Sequence, residues 1–274
     1  MSRIDWQSII PEAAALVESY DTPVTLRQLF YRLVSRELIP NTLTAYKTLS
    51  ATTAEARRES GFPALSDRTR DIHAPGHFAG PENALDALVR QYRRDRTEGQ
   101  EWTIYLGVEK NGQVEQLAAW FGAHGLPVLA LGGYASQSYV DQVRADVDYQ
   151  ARPAVLLYAG DFDASGEDIQ RDFVARGACF DRVERIALTG EQVEQYDLPP
   201  LPGKSTDPRA AGFALRHGAD IQVELDALDP NDLHALYAQA VGRYWDVSKY
   251  QTALERERDE RARLVGLFDY LDAA

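Results

Sequence analysis

Three carboxylates after residue 100 follow apolar runs that are typical of β-strands. Glu109 ends a run over 102–109, and Asp161 and Asp163 follow a run that begins at residue 154. In an open parallel sheet, ligands gather beyond the carboxyl ends of the strands where the strand order reverses, so these carboxylates can converge. Converging carboxylates repel one another unless a hard cation lies between them. The pattern predicts a Mg²⁺ site made by Glu109, Asp161 and Asp163, with a helix-cap or turn role for Glu109 or Asp163 as the alternative.

The residues after Asp163 predict a helix start beside these aspartates. Ser165 is expected to cap a helix over 165–176, with Asp168 completing a capping box. The free amides at such a helix start favour anions. Glu224 and Asp226 flank the end of a further predicted strand, over 221–226, and are candidates for a second metal site.

The elements that must position these residues alternate from about residue 99 onward. Strands are predicted over 102–109, 127–131, 154–161 and 182–188, with helices over 112–124, 136–149 and 165–176 between them. Strand–helix alternation of this kind predicts an α/β fold with a mainly parallel sheet covered by helices on both sides. After residue 190 the pattern loosens, and helices are expected at about 230–243 and 248–270.

The first 98 residues instead predict a mostly helical domain. Helices are expected over 6–19, from Thr25 as a cap to about residue 39, over 43–59 and over 82–97, with a basic, hairpin-like segment over 64–72. Three short helices followed by a basic segment are typical of a winged-helix DNA-binding module. The second helix has its apolar stripe at Leu26, Leu29, Phe30, Leu33 and Val34. Arg27 and Tyr31 lie one turn apart and off that stripe, at about 100° per residue.

The charge is divided unequally between the two parts. The chain of 274 residues has 29 Lys and Arg against 42 Asp and Glu, a formal charge of -13. Residues 1–100 contain 13 basic and 13 acidic residues, so the whole acidic excess lies after residue 100. Strong acidity usually disfavours nucleic-acid binding, but here the N-terminal part lacks a negative net charge. We therefore expect two domains, 1–98 and 99–274, with different roles.

Composition excludes several classes of protein. The single cysteine, Cys179, permits no intrachain disulfide and no thiolate zinc cluster, which fits a reducing compartment. No apolar run approaches the roughly 20 residues that span a bilayer. The first residues lack the apolar centre of a signal peptide. We expect a cytoplasmic protein without a membrane partner.

Two sets of motifs resemble a known family. Gly107-Val108-Glu109-Lys110 and the later Gly160-Asp161-Phe162-Asp163-Ala164-Ser165-Gly166 resemble the TOPRIM domain of topoisomerases, primases and related nucleases. The segment from Thr25 to Tyr31 (TLRQLFY) is similar to the catalytic tyrosine segment of the topoisomerase VI A subunit and its meiotic double-strand-break relatives. The turn at 132–136 departs from the family pattern because Ala135 replaces a proline. The chain resembles short, stand-alone A-type proteins of bacteria and phages.

This resemblance implies an activity. Tyr31 would attack a phosphodiester of double-stranded DNA and form a 5′-phosphotyrosyl link, with Arg27 holding the phosphate and favouring the phenolate. Mg²⁺ at Glu109, Asp161 and Asp163 would stabilise the developing charge. The active site would be shared between the protomers of a homodimer. Phosphate contacts are expected from Lys47, Arg57, Arg58, Arg68, Arg70, Lys204 and Arg209, although for the last two an exposed loop charge is the alternative.

Two other functions stay open at this point. The sequence has no phosphate-binding loop of the type Gly-x-x-x-x-Gly-Lys-Ser/Thr, so ATP-driven strand passage would need a separate, B-type ATPase subunit unless the chain works alone. The protein could instead be a TOPRIM nuclease that uses water, with Tyr31 structural. It could also be a catalytically silent DNA-binding or assembly protein.

Overall fold

The computed structural model describes residues 4–59, 61–66, 75–203 and 207–272, with side chains described up to residue 266. Over these residues the chain has a mixed α/β architecture. The helices are α1 (Trp6–Glu18), α2 (Leu26–Ser35), α3 (Leu43–Arg58), α4 (Pro81–Gln91), α5 (Val114–Phe121), α6 (Gln137–Gln150), α7 (Ala164–Gly177), α8 (Gly190–Gln195), α9 (Ala210–His217), α10 (Pro230–Gly242) and α11 (Val247–Asp272). The strands are β1 (Thr103–Val108), β2 (Val128–Ala130), β3 (Ala154–Ala159), β4 (Arg182–Ala187), β5 (Leu201–Pro202) and β6 (Ile221–Gln222).

The helices α1 to α3 form their own apolar core. Thr25 begins α2 with a capping box, in which its side chain accepts from the backbone N–H of Gln28 and the Gln28 side chain accepts from the N–H of Thr25. This cap satisfies amides that would otherwise lack partners at the start of the helix. Leu29 and Leu33 of the predicted stripe are fully buried against Leu49 of α3 and its neighbours. The second and third helices are therefore confirmed, each to within a few residues.

The main sheet is parallel and has the strand order β2-β1-β3-β4. Every residue of β1 and β3 is buried, as expected for central strands covered on both faces. The chain moves from β1 outward to β2 and then returns across β1 to β3. The order thus reverses between β1 and β3, which is where ligands bind in open α/β sheets.

Two apolar cores lie on opposite faces of this sheet. Successive side chains of a strand point to opposite faces. Leu106 of β1 accordingly packs in the core that includes α5 and α10, whereas Tyr105 packs in the core that includes α6 and α7. The prediction of a parallel sheet with helices on both sides is confirmed.

A short chain of buried polar side chains joins α2 to α5. The amide of Gln28 donates to Oε1 of Gln116 at 3.1 Å, and the amide of Gln116 donates to Oγ1 of Thr22 at 3.0 Å. All three residues are less than a tenth exposed. Because buried amides need partners, these bonds fix α2 against the α/β part of the chain.

Three sequence predictions differ from the structure. The helix predicted over 82–97 ends at Gln91, because Tyr92 leaves the helical conformation and its hydroxyl donates to Glu260 of α11. The strand predicted over 221–226 is limited to β6, which pairs with β5, and a 3₁₀ turn follows at Leu225–Ala227. The third difference is the cap of α7, which is Asp163 and not the predicted Ser165. In the part of the chain that the structure describes, no helix combines the length and apolarity needed to cross a membrane.

Candidate functional site

Glu109 and Asp161 lie side by side at the reversal point of the sheet. Val108 of β1 pairs with Ala159 of β3, so the residues that follow the two strands emerge together. The backbone N–H of Asp161 donates to Oε2 of Glu109 at 2.9 Å. The predicted convergence of these two carboxylates is present.

Two glycines make room for the Glu109 carboxylate. A β-carbon at Gly160 would lie 2.9 Å from Oε2 of Glu109, and one at Gly166 would lie 3.0 Å from the same oxygen. At Gly166 it would also lie 2.4 Å from the carbonyl oxygen of Asp161, closer than real β-carbons approach. Gly166 is therefore required by the backbone of Asp161, whereas at Gly160 a β-carbon would meet the ends of two side chains, the Tyr158 hydroxyl at 2.5 Å and the Glu109 carboxylate.

Asp163, and not Ser165, caps α7. Oδ1 of Asp163 accepts from the N–H of Gly166 at 2.7 Å, while Ser165 lies inside the helix. Asp and Ser are equally good caps, and the backbone turn after Phe162 decides between them, since Phe162 bridges Val223 through two backbone hydrogen bonds. The predicted Ser165 cap is wrong. The capping role raised as an alternative for Asp163 is real, and Oδ2 of Asp163 takes no hydrogen bond from the described residues.

The Phe162–Val223 bridge brings Glu224 and Asp226 to the same place. Oδ1 of Asp161 accepts from the backbone N–H of Leu225 at 2.8 Å, which fixes the turn beside the end of β3. Five carboxylates thus gather at one edge of the sheet, and we call them the acidic cluster: Glu109, Asp161, Asp163, Glu224 and Asp226. A cavity of about 380 Å³ is lined by all of these except Asp226.

Lys110 places its ammonium inside the acidic cluster. Its Nζ lies 2.5 Å from Oδ2 of Asp161 and 2.8 Å from Oε2 of Glu224. Burial by itself would lower the pKa of Lys110, but the contacts with Asp161 and Glu224 outweigh it and raise that pKa. The lysine is therefore charged and bridges two of the five carboxylates.

Arg27 reaches the acidic cluster from α2. Its Nη2 lies 2.8 Å from Glu224, and its Nε donates to Oδ2 of Asp226 at 3.2 Å. The other oxygen of Asp226 accepts from the amide of Gln113 at 3.0 Å. Because Asp226 is only 5% exposed, Gln113 and Arg27 supply the partners that its buried carboxylate needs. The helix with the candidate tyrosine is thus bonded directly to the acidic cluster.

Tyr31 lies one turn after Arg27 and is half-buried. The Arg27 guanidinium lies 5.3 Å from the centre of its ring, and Phe30 packs edge-on against it. Burial first and then the charge of Glu224 raise the pKa of Tyr31, and the opposing effect of Arg27 is smaller. Arg27 does favour the phenolate, as expected, but the net effect of the surroundings in this arrangement is to keep the phenol protonated.

The acidic cluster holds more negative charge than its neighbours neutralise. Burial raises the pKa of Glu109 and of Asp161, and the charge of Glu109 raises that of Asp161 further, against the effect of Lys110. Among the described residues, the cationic side chains at the cluster are Arg27, Lys110 and Arg185, and the Arg185 guanidinium donates to the carbonyl oxygens of Gly160 and Asp161. When all five carboxylates are ionised, these three described cations leave a formal excess of two negative charges.

These donors fit Mg²⁺ in their chemistry. All are carboxylate oxygens, the ligand type that Mg²⁺ prefers, and the excess charge matches one divalent cation. As they stand, however, no three Asp, Glu, His or Cys side chains among the described residues are arranged to hold a metal ion. The ammonium of Lys110 lies between Asp161 and Glu224, where it takes an oxygen that a metal would need.

Neither family models nor curated proteins match this chain.

A larger cavity of about 1300 Å³ adjoins the acidic cluster and separates α3 from the turn at Gly132 and Gly133. Arg27 and Lys110 line both cavities. Among the predicted DNA contacts, Arg57 lines the larger one, whereas Lys47 and Arg58 are exposed elsewhere on α3. Arg68, Arg70 and Lys204 lie outside the described residues.

The Arg209 guanidinium forms salt bridges with two aspartates. Its guanidinium donates twice to Asp207 at 2.8 Å, to Asp168 at 3.1 Å and to Ser165 at 2.9 Å, and it bonds Tyr134. These contacts tie the loop before α9 to the start of α7. A DNA phosphate would have to compete with two carboxylates for this guanidinium.

Sequence reasoning gave no role to Lys110, Gln113 or Arg185. Lys110 follows Glu109 directly, and a basic residue within an otherwise acidic strand-end motif could have indicated a contact with the carboxylates. For Gln113 and Arg185 no comparable signal exists, because their roles depend on which backbone carbonyls and carboxylates the fold brings within reach.

Proposed function

We propose that the protein is a Mg²⁺-dependent, DNA-cleaving transesterase similar to the A subunit of type IIB topoisomerases. In this proposal residues 1–98 form a winged-helix domain and residues 99–274 a TOPRIM domain with a C-terminal extension. The observation that carries it is the contact of Arg27 with the acidic cluster, since Arg27 lies one turn before Tyr31 and lines the same cavity as Glu109, Asp161 and Asp163.

The reaction would be a transfer of a DNA phosphoryl group to Tyr31. The phenolic oxygen of Tyr31 attacks the phosphorus and loses its proton to solvent, the bond from phosphorus to the 3′-oxygen breaks, and that oxygen leaves as a hydroxyl after taking a proton from water. Arg27 would hold the phosphate, for which a planar guanidinium is well suited. Since Arg27 is bonded to Glu224 and Asp226 in this structure, its approach to phosphate would exchange carboxylate partners for phosphate oxygens.

Glu109, Asp161 and Asp163 would hold the Mg²⁺, which supplies electrostatic stabilisation of the charge that develops on the phosphate. The protein's own residues prepare this place: the glycines wrap the backbone around Glu109, and the N–H of Leu225 orients Asp161. The part of the chain after residue 100, which carries the acidic excess, would thus contact DNA through bound metal.

Positively charged residues would position the duplex through its phosphates. Arg57 lines the larger cavity and is the best placed of them, with Lys47, Arg58, Arg68, Arg70, Lys204 and Arg209 as further candidates. In the family that the chain resembles, each active site is shared between the protomers of a homodimer. Arg27 here contacts the acidic cluster of its own chain, so sharing would require α2 to meet the acidic cluster of the partner instead. Two such sites in a homodimer would cut both strands in the cytoplasm. Strand passage driven by ATP would require a separate ATPase subunit.

One observation favours hydrolysis by water as a second candidate. Burial and Glu224 raise the pKa of Tyr31, so its hydroxyl is a poor nucleophile in this arrangement. A nuclease using the same acidic cluster would need no phenolate. A third reading, DNA binding without catalysis, is supported by the absence of a ready metal-holding arrangement among the described residues.

The deciding experiment is an adduct assay with a matched tyrosine control. Protein is incubated with supercoiled DNA and Mg²⁺, denatured, and examined for DNA covalently attached to protein. We expect an adduct that is lost in Tyr31→Phe and retained in Tyr46→Phe, because Tyr46 lines the same 310 Å³ cavity as Tyr31 but lies on α3. An adduct that persists in Tyr31→Phe contradicts the assignment.

The same assay separates the other candidates. Free DNA ends without adduct, unaffected by Tyr31→Phe and lost in Asp161→Ala, would establish hydrolysis. Undiminished DNA binding with no cleavage under any divalent metal would establish the silent DNA-binding protein.

A further inference from the structure

Lys110 is a cation that lies between two carboxylates of the acidic cluster. Its ammonium contacts Asp161 Oδ2 at 2.5 Å and Glu224 Oε2 at 2.8 Å, and only a quarter of its side chain is exposed. Arg27 and Arg185 also lie at the acidic cluster, but Arg27 contacts Glu224 and Asp226 and Arg185 contacts backbone carbonyl oxygens. Among the described residues, Lys110 is the only cationic side chain that forms a salt bridge with a carboxylate at the end of β3.

The ammonium and a divalent cation would compete for the same oxygen. A metal that takes Oδ2 of Asp161 as ligand needs it at contact distance, and two cations at that distance repel each other. Lys110 can leave, because a lysine carries its charge on a flexible four-carbon stem. It also lines the 1300 Å³ cavity, which extends from the acidic cluster to α3, so space for the displaced side chain lies beside it.

We propose that Lys110 is an internal counter-cation, which occupies the acidic cluster in the metal-free protein and is displaced when a divalent cation binds. In this role Lys110 keeps the cluster compact without metal and lowers its apparent metal affinity. The proposal rests on the proposed function to the extent that it assigns the metal to Glu109 and Asp161.

The test measures metal binding without DNA. Mg²⁺ binding is followed by titration calorimetry and Mn²⁺ binding by the electron paramagnetic resonance signal of the free ion, for the full chain and its variants. We expect Lys110→Met to bind Mn²⁺ about tenfold more tightly, because removing a competing charge at contact distance is worth at least about a factor of ten in affinity. Lys110→Arg keeps the charge and should bind no more tightly than the unmodified protein.

Arg57→Met is the matched control. It removes a positive charge from the border of the same large cavity, but the Arg57 guanidinium donates to the backbone oxygen of Thr53 and not to the acidic cluster. Its metal affinity should change by less than about threefold, since exposed charges at a distance are screened. Thermal unfolding supplies a second readout: without metal Lys110→Met should unfold at a lower temperature than the unmodified protein, and saturating metal should raise its midpoint more.

The outcomes separate this inference from the proposed function. If metal binds and Asp161→Asn abolishes the binding, but Lys110→Met binds no more tightly, the counter-cation role is wrong and the metal site stands. Equal tightening in Lys110→Met and Lys110→Arg also overturns it, since charge would not be the cause. If no form of the protein binds Mg²⁺ or Mn²⁺, both proposals fail.

Discussion

Replacement of Gln116 by methionine tests how α2, with Arg27 and Tyr31, is held against the sheet. Methionine has nearly the volume of glutamine, so the change leaves no cavity. It removes both hydrogen bonds of the chain from Gln28 through Gln116 to Thr22, at 3.1 and 3.0 Å. The amide of Gln28, in a residue only 4% exposed, is left without a partner. Each buried polar group without a partner costs about 1–3 kcal/mol of the free energy of unfolding. The Thr22 hydroxyl can rotate and so adds less than the Gln28 amide. We expect the free energy of unfolding to fall by about 2–3 kcal/mol in total.

Urea unfolding at pH 7 measures this loss directly, and a thermal scan should show a midpoint lower by roughly 5–10 °C, at ~2–4 °C per kcal/mol for chains of similar size. Gln91→Met, at the exposed end of α4, is the control and should change stability by less than about 0.5 kcal/mol. The double variant Gln28→Met/Gln116→Met should lose less than the sum of the single variants, because neither partner is then left unsatisfied. A loss below about 0.5 kcal/mol in Gln116→Met, or strict additivity in the double variant, would refute the reasoning.

Two further predictions concern the shared site and acid stability. Tyr31→Phe and Asp161→Asn should each be inactive alone, yet a mixture of the two variants should nick one DNA strand. If the site is shared between protomers, each mixed dimer keeps one intact tyrosine facing one intact metal site. A mixture that does not nick DNA would place the tyrosine and the metal of one site in the same chain. Glu257, 2% exposed, is bonded by Arg96 and Arg261, and the hydrogen bond from Arg96 lowers the pKa of Glu257 to about 2. Since that folded-state pKa is below the unfolded value of about 4.3, the stabilisation by Glu257 is complete above about pH 5 and is lost as the pH falls towards 2. Glu257→Gln should therefore have a lower free energy of unfolding than the unmodified protein at pH 7. In urea titrations this difference should shrink as the pH falls from about 5 towards 2. A difference that does not change with pH would contradict the prediction.

The sheet could be predicted from the sequence because its signal is local. The strands β1 and β3 are continuous apolar runs bounded by polar residues, and the structure places both within two residues of the expected bounds. The sequence predicted that Glu109 and Asp161 can converge because both follow parallel strands; their meeting depends on β1 and β3 being neighbours, which the structure shows. Helix caps were less certain, because Asp163 and Ser165 are both suitable and only the backbone path decides.

The remaining part of the site depends on contacts that local pattern does not contain. The segment around Glu224 was predicted as a strand, but the 3₁₀ turn at Leu225–Ala227 follows the Phe162–Val223 bridge, and in this turn Asp226 is bonded by Gln113 and Arg27. Whether Arg27 is free for phosphate or bonded to carboxylates depends on that turn. Its sequence signal was limited to the acidic character of Glu224 and Asp226.

The separation of these partners along the chain has a consequence for synthesis. Arg27 and Asp226 are 199 residues apart, so a ribosome that has just completed α2 must translate most of the protein before the carboxylate partners of Arg27 exist. At ~5–20 residues per second this interval is roughly 10–40 seconds. During it the nascent chain can form the helical core of α1 to α3 from local contacts, but it has neither Glu109 nor Asp161 for much of that time. Any DNA-cleaving activity of Tyr31 that uses Glu109, Asp161 and Asp163 of the same chain would therefore be postponed until Asp163 has left the ribosome, and the carboxylates that hold Arg27 would follow later still.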